Sequence, residues 1–131
     1  MRLSPTRAAA AAHLSPAAVV LLLTGAGAPL VLAGTAAFLG PLAARLALRD
    51  PFARRHAAAA LRFNVSIAVY TGAIWAALSL LELGPYTVQL VPFLVLGSLL
   101  VALNWLLFMA IATYRAATGQ PFTYPMTIRG I

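Results

Sequence analysis

Charged residues divide this chain into long apolar stretches. No charged side chain interrupts residues 14–44, between His13 and Arg45, or residues 63–81, between Arg62 and Glu82; a third stretch, residues 83–114, ends at Arg115. A membrane span needs about 20 mainly apolar residues to cross roughly 30 Å of hydrocarbon, so the second stretch is one helix long. The third opens with Gly84-Pro85 and carries Pro92, and its helix is expected over about residues 90–113. Gly84-Pro85-Tyr86-Thr87 reads as a tight turn, making the second and third spans an antiparallel hairpin.

The first stretch is too long for one upright crossing, since a straight helix at about 1.5 Å per residue would exceed roughly 40 Å. It is also broken by Gly25, Gly27, Pro29, Gly34 and Gly40-Pro41. Either it is one tilted, kinked span, or it turns near Thr24-Gly25-Ala26-Gly27-Ala28-Pro29 as a hairpin or re-entrant segment. Arginine placement favours the hairpin. Arg2 and Arg7 precede the stretch, Arg45, Arg49, Arg54, Arg55 and Arg62 follow it, and Arg115 and Arg129 follow the last span. A hairpin puts all of them on one side of the bilayer, in accord with the positive-inside rule, with both termini cytoplasmic. The expected fold is an all-α integral membrane protein of three to four membrane helices, preceded by a cytoplasmic segment, residues 1–13. Arg2, Arg7, the apolar run 17–23 and Ala26-x-Ala28 imitate a secretory signal; Pro29 would hinder cleavage, so this is read as a retained membrane segment. The alanine runs 8–12 and 57–60 look like helix filler.

Composition supports the membrane reading. Of 131 residues 63% are hydrophobic and 8% charged, against roughly 25% charged in soluble domains. That excludes a soluble enzyme domain and a disordered tail. A net charge of +7 would ordinarily suggest nucleic acid, but the arginines are spread along membrane edges without a binding motif, so no nucleic-acid partner is expected. The absence of Cys excludes disulfides, thiol nucleophiles and Cys-ligated metals.

The segment between the first and second spans is the most informative. Asp50-Pro51 is a helix start, with a capping carboxylate and Pro at the first helical position. From there an amphipathic helix over about residues 51–62 should leave the cytoplasmic interface and continue into the second span. At 100° per residue Phe52, His56, Ala59 and Phe63 share a stripe, flanked by Arg55 and Arg62. Arg45, Arg49, Arg54, Arg55 and Arg62 are candidates for electrostatic contact with anionic lipid, or with an acidic partner. His56 reads as a packed interfacial histidine. Bis-histidine haem ligation with His13 is conceivable, and a zinc site lacks its three or four ligands.

The polar residues of the spans, Asn64, Ser66, Tyr70, Thr71, Ser79, Ser98 and Asn104, read as interhelical packing, helped by the small pairs Gly72/Ala76 and Ala73/Ala77. No ionisable group lies mid-span, where coupled transporters place one. Catalysis finds no nucleophile–base–orienter set. The chain is therefore expected not to be an enzyme, with no cofactor and no catalytic or metal-binding residues.

His13-Leu14-Ser15, Asp50-Pro51-Phe52, His56, Ala60-Leu61, Phe63 and Ser66, with the ending Gly119-Gln120-Pro121-Phe122-Thr123-Tyr124-Pro125 through Ile128-Arg129, resemble the small bacterial membrane proteins grouped as Tic20-like (DUF4870). The resemblance would make residues 14–131 one Tic20-like domain and implies four helices and a translocation-associated role. This chain departs from the typical His-Gly-Lys-Glu pattern, with His56-Ala57-Ala58-Ala59 in its place. In the tail, Gly119 should cap the last helix. The segment after it should be extended and fold back near Phe52 and His56, with Phe122 and Tyr124 in the interfacial aromatic belt.

Asp50, Phe52, His56, Phe63, Asn64, Gly119, Tyr124, Pro125 and Arg129 are thus the candidates for structural or partner-binding roles. The expected function is a non-catalytic packing or adaptor component of a larger membrane assembly in the bacterial cytoplasmic (inner) membrane, C-terminus cytoplasmic. Its expected partners are anionic lipid and a membrane protein or further copies of itself. One alternative is a pore or translocation component whose path would need Asn64, Tyr70 and Asn104; another is a haem- or substrate-binding membrane protein.

Overall fold

The computed structural model describes residues 3–80, 87–125 and 127. The chain starts a helix twice with the same local signal. Ser4 and Asp50 each precede a proline; the Ser4 hydroxyl accepts the Arg7 N–H at 3.4 Å, and Asp50 Oδ1 accepts the Ala53 N–H at 2.9 Å. These caps open α1 (Pro5–Gly25) and α4 (Pro51–Leu80). Helix α1 therefore begins well before residue 14: residues 5–13, expected within an N-terminal segment, belong to it, and His13 is buried.

The chain also stops a helix twice in the same way. Gly27 and Gly119 adopt positive φ, 87° and 75°. After α1 the Gly27 N–H reaches Thr24 O and the Ala28 N–H reaches Leu23 O. After α5 (Thr87–Ala117) the Gly119 N–H reaches Ala116 O and the Gln120 N–H reaches Arg115 O. Both are Schellman caps, which need a residue free of the Cβ penalty at the left-handed position. Beyond Gly27 the chain reverses into α2 (Leu30–Thr35), a 3-10 turn (Ala36–Phe38) and α3 (Leu39–Ala47). Among the described residues four helical segments are long and apolar enough to cross a membrane: Pro5–Gly25, Leu30–Ala47, Pro51–Ala76 and Gln89–Ala117. The broken first stretch is thus a hairpin rather than one kinked span.

The starts of α1 and α4 and the end of α5 meet at Ala8, Ala9, Ala53 and Ala116, with Leu48, just after α3, packed on them. Every arginine among the described residues lies at or near this end. Helix α1 packs on both α4 and α5, and α3 packs on α1 and α4. Helices α4 and α5 run antiparallel and are bridged at this end by side chains. Further along, an open apolar groove of about 540 Å³ lies between α1–α2, α4 and α5, with Ile67, Trp75, Phe93 and Trp105 among its walls.

The interior is built from small residues. Ala9, Ala33, Ala53, Ala57, Ala60, Ala112 and Ala116 are fully buried, whereas Leu21, Leu22, Leu46 and Phe93 are exposed. In lipid, large apolar side chains gain nothing by turning inward, and close packing of small ones holds helices together. The alanine runs read as filler thus contribute to the core. Conversely, Gly72, Ala73 and Ala76 are exposed, and a Cβ on Gly72 would meet nothing within 4 Å. The tight crossing lies elsewhere: a Cβ on Gly40 of α3 would stand 2.5 Å from Ser15 O of α1. Buried Pro16 and Pro41 adjoin this contact. Pro16 cannot donate to the Ala12 carbonyl, and the Ser15 hydroxyl does so in its place at 2.8 Å.

Candidate functional site

The stripe Phe52–His56–Phe63 on α4 faces α1, α5 and the returning tail. Residues 118–125 fold back from the Gly119 cap, so that Phe122 and Tyr124 line one cleft with Phe52 and His56. Tyr124 is buried and stacks flat on Phe63, with ring centroids 4.2 Å apart and planes at 9°. Phe122 meets Tyr124 edge to face at 4.9 Å, and Phe108 of α5 meets Phe63 at 6.2 Å. Phe52 lies against His56 at 4.5 Å.

At the centre of this cluster is a buried chain of polar groups. Tyr124 Oη lies 2.9 Å from His13 Nδ1, and His13 Nε2 lies 2.8 Å from His56 Nδ1. With both imidazoles neutral, His13 Nε2–H can donate to His56 Nδ1 while the Tyr124 hydroxyl donates to His13 Nδ1, so that all three groups are paired. The network ties α1, α4 and the tail together in one direction. Burial pushes the Tyr124 phenol well above its ordinary range, because a phenolate here would lose its hydration.

A second polar tie joins α4 and α5. Asn64 is buried, donates its amide to the Ala60 carbonyl at 2.8 Å and accepts the Trp105 indole N–H at 3.0 Å. Asn104 is exposed and bonds back to Leu100 of its own helix, and Tyr70 is exposed. Within one chain, then, Asn64 lies inside the bundle while Tyr70 and Asn104 lie on its surface.

Of the other sequence candidates, Asp50 caps α4, Gly119 ends α5 and Pro125 is exposed; Arg129 lies outside the described residues. Arg45, Arg49, Arg54, Arg55 and Arg62 are all exposed. Sequence reasoning left His13 and Trp105 off the site. His13 carried a signal, since it shares an α1 stripe with Ala9, Ala12 and Pro16 at helical spacing. Trp105 carried none, as an aromatic residue in an apolar span is unremarkable until its partner is known.

The site offers packing chemistry more than reactive atoms. Among the described residues no three His, Cys, Asp or Glu side chains converge as metal ligands. The facing nitrogens of His13 and His56 bond directly to each other, which leaves no space for a haem iron between them.

A family model described as the magnetosome magnetite crystal formation protein family (MamF/MmsF) matches residues 5–131. This corrects the Tic20-like (DUF4870) resemblance drawn from the sequence. The residues behind that resemblance build the aromatic–histidine end of the bundle, and a packing solution of this kind does not identify a function. No curated protein and no solved structure matches the chain. With the match running through all four membrane helices and the tail, the chain belongs to the magnetosome magnetite crystal formation protein family.

Proposed function

We propose that this chain is a non-catalytic packing component of the membrane in which magnetite crystals form. The family supplies the setting. The observation that carries the non-catalytic reading is that the interior polar groups, His13, His56, Tyr124, Asn64 and Trp105, are engaged with one another or with backbone, holding helices and tail in register. The arginine-bearing end faces the cytoplasm and anionic lipid, in a multi-pass protein of the bacterial inner membrane or of membrane derived from it. The outer face of α5, where Phe93, Val95, Leu96, Leu99 and Leu103 are exposed, is the surface offered to a membrane-protein partner or a second copy.

Three experiments test this reading. The chain has no Cys, so single cysteines at Ala26 and Thr118 can be labelled in intact cells by an impermeant maleimide. Labelling at Thr118 and not at Ala26 would refute the orientation. Deletion in magnetosome-forming cells should change crystal size or number, and affinity purification in mild detergent should recover a stoichiometric membrane partner. Normal crystals in the deletion strain would sink the proposed role.

A further inference from the structure

We infer that the cleft between α4 and the returning tail is a binding site for the phosphate of an anionic phospholipid headgroup. The inference rests on the reading that the arginine-bearing end faces anionic lipid and deepens it from a general attraction to a defined site. The cleft has a volume of about 350 Å³, within the range of small-molecule sites. Arg55 and Arg62 stand on its α4 wall. Seven residues apart, they share one helix face within about 20° and are separated by roughly 10 Å along the axis. Thr123 and Phe122 of the tail line it opposite α4, and Phe52 lines it near the start of that helix.

Among the described residues no acidic side chain lines the cleft; Asp50 Oδ1 caps the start of α4 by accepting the Ala53 N–H. An anion from outside the chain would complement the two guanidinium groups. Guanidinium groups grip phosphate through paired N–H donors, and a threonine hydroxyl can donate a further hydrogen bond. The ladder of charge favours a lipid over a free ion. Arg55 sits one turn into α4 and Arg62 about two turns deeper, so the cations descend from headgroup level toward the apolar zone. Phe122 of the tail supplies an apolar wall beside the two arginines.

The test uses the delipidated full chain in mild detergent, titrated with phosphatidylglycerol or phosphatidylcholine and read by native mass spectrometry. Wild type should retain one phosphatidylglycerol in preference to phosphatidylcholine. Arg55→Gln with Arg62→Gln should weaken that binding roughly 20-fold, at about a fivefold loss per arginine. The charge-matched pair Arg45→Gln with Arg49→Gln, which does not line the cleft, should lose clearly less than the Arg55/Arg62 pair. Arg55→Lys with Arg62→Lys keeps the charge and should fall between, and it serves if the glutamine pair does not fold. Equal losses from both glutamine pairs would overturn the cleft while leaving the basic-face reading intact. No preference for the anionic lipid in any protein would overturn both. Displacement of the lipid by millimolar inorganic phosphate would reassign the cleft to a soluble anion and overturn the lipid site.

Discussion

His13 and His56, 43 residues apart in sequence, meet edge to face with Nε2 and Nδ1 2.8 Å apart, and through this contact α1 and α4 share one buried hydrogen bond. His13 uses its other nitrogen on the Tyr124 hydroxyl of the tail. The pair therefore makes the position of the tail a condition of helix packing.

His13→Ala leaves the Tyr124 hydroxyl and His56 Nδ1 without their partner. Unsatisfied buried polar groups cost about 1–3 kcal/mol each, so thermal unfolding in detergent should show a loss of about 2–4 kcal/mol. A double-mutant cycle of His13→Ala with Tyr124→Phe should give a coupling of about 0.5–3 kcal/mol. Strict additivity would mean that the hydrogen bond contributes nothing.

Gly40→Ala should separate α1 from α3. The new methyl would fall 2.5 Å from Ser15 O and 2.7 Å from Ser15 C, both backbone atoms that cannot swing aside. Overpacking of this kind costs about 1–3 kcal/mol. Gly72→Ala, where a Cβ meets nothing within 4 Å, is the matched control and should leave the unfolding midpoint unchanged.

Gly119→Ala places a Cβ at φ 75°, a strain of about 1–2 kcal/mol. Because that residue turns the chain back toward His56, the variant should release the tail to protease faster than wild type, while Gly119→Asn should behave more mildly. Equal cleavage rates for all three proteins would show that the cap does not hold the tail.

Tyr124 should make the fold sensitive to alkali. Its phenol has a raised pKa in the folded chain, against about 10 unfolded. The stability it contributes is fully present below about pH 10 and is lost as pH rises toward the folded value. Of the chain's four tyrosines, Tyr124 should resist ionisation until the bundle opens, seen as a late ultraviolet step that is missing in Tyr124→Phe. A single smooth titration of all tyrosines would contradict its burial.

What could be read along the chain were features governed by local chemistry. Asp50-Pro51 announced the start of α4 because a capping carboxylate and a proline act on the next few N–H groups. Gly119 announced the end of α5 because only a residue without Cβ takes that turn cheaply. Ser4-Pro5 carried the same start signal as Asp50-Pro51, and reading it would have placed His13 within α1. The arginine distribution pointed to the N-terminal hairpin, since charge avoids hydrocarbon wherever the helices pack.

The sequence alone thus determined a membrane-embedded helical protein, the start of α4, the glycine that ends α5 and the end of the bundle that carries the charge, because hydropathy and capping act within a turn or two; it set the starts of α1 and α5 too late, at about 14 and 90 rather than 5 and 87. The partners across the bundle were decided only by tertiary structure. An alanine in a span looks the same whether it faces lipid or another helix, which is why Ala57 and Ala60 read as filler and Gly72 as an interface. Gly40 gains its meaning from Ser15, and His13 from His56 and Tyr124. The family assignment also shifted, since the residues behind the first resemblance are those that pack this end of the bundle. Contacts between segments tens of residues apart depend on how the helices cross, and no local pattern encodes that crossing.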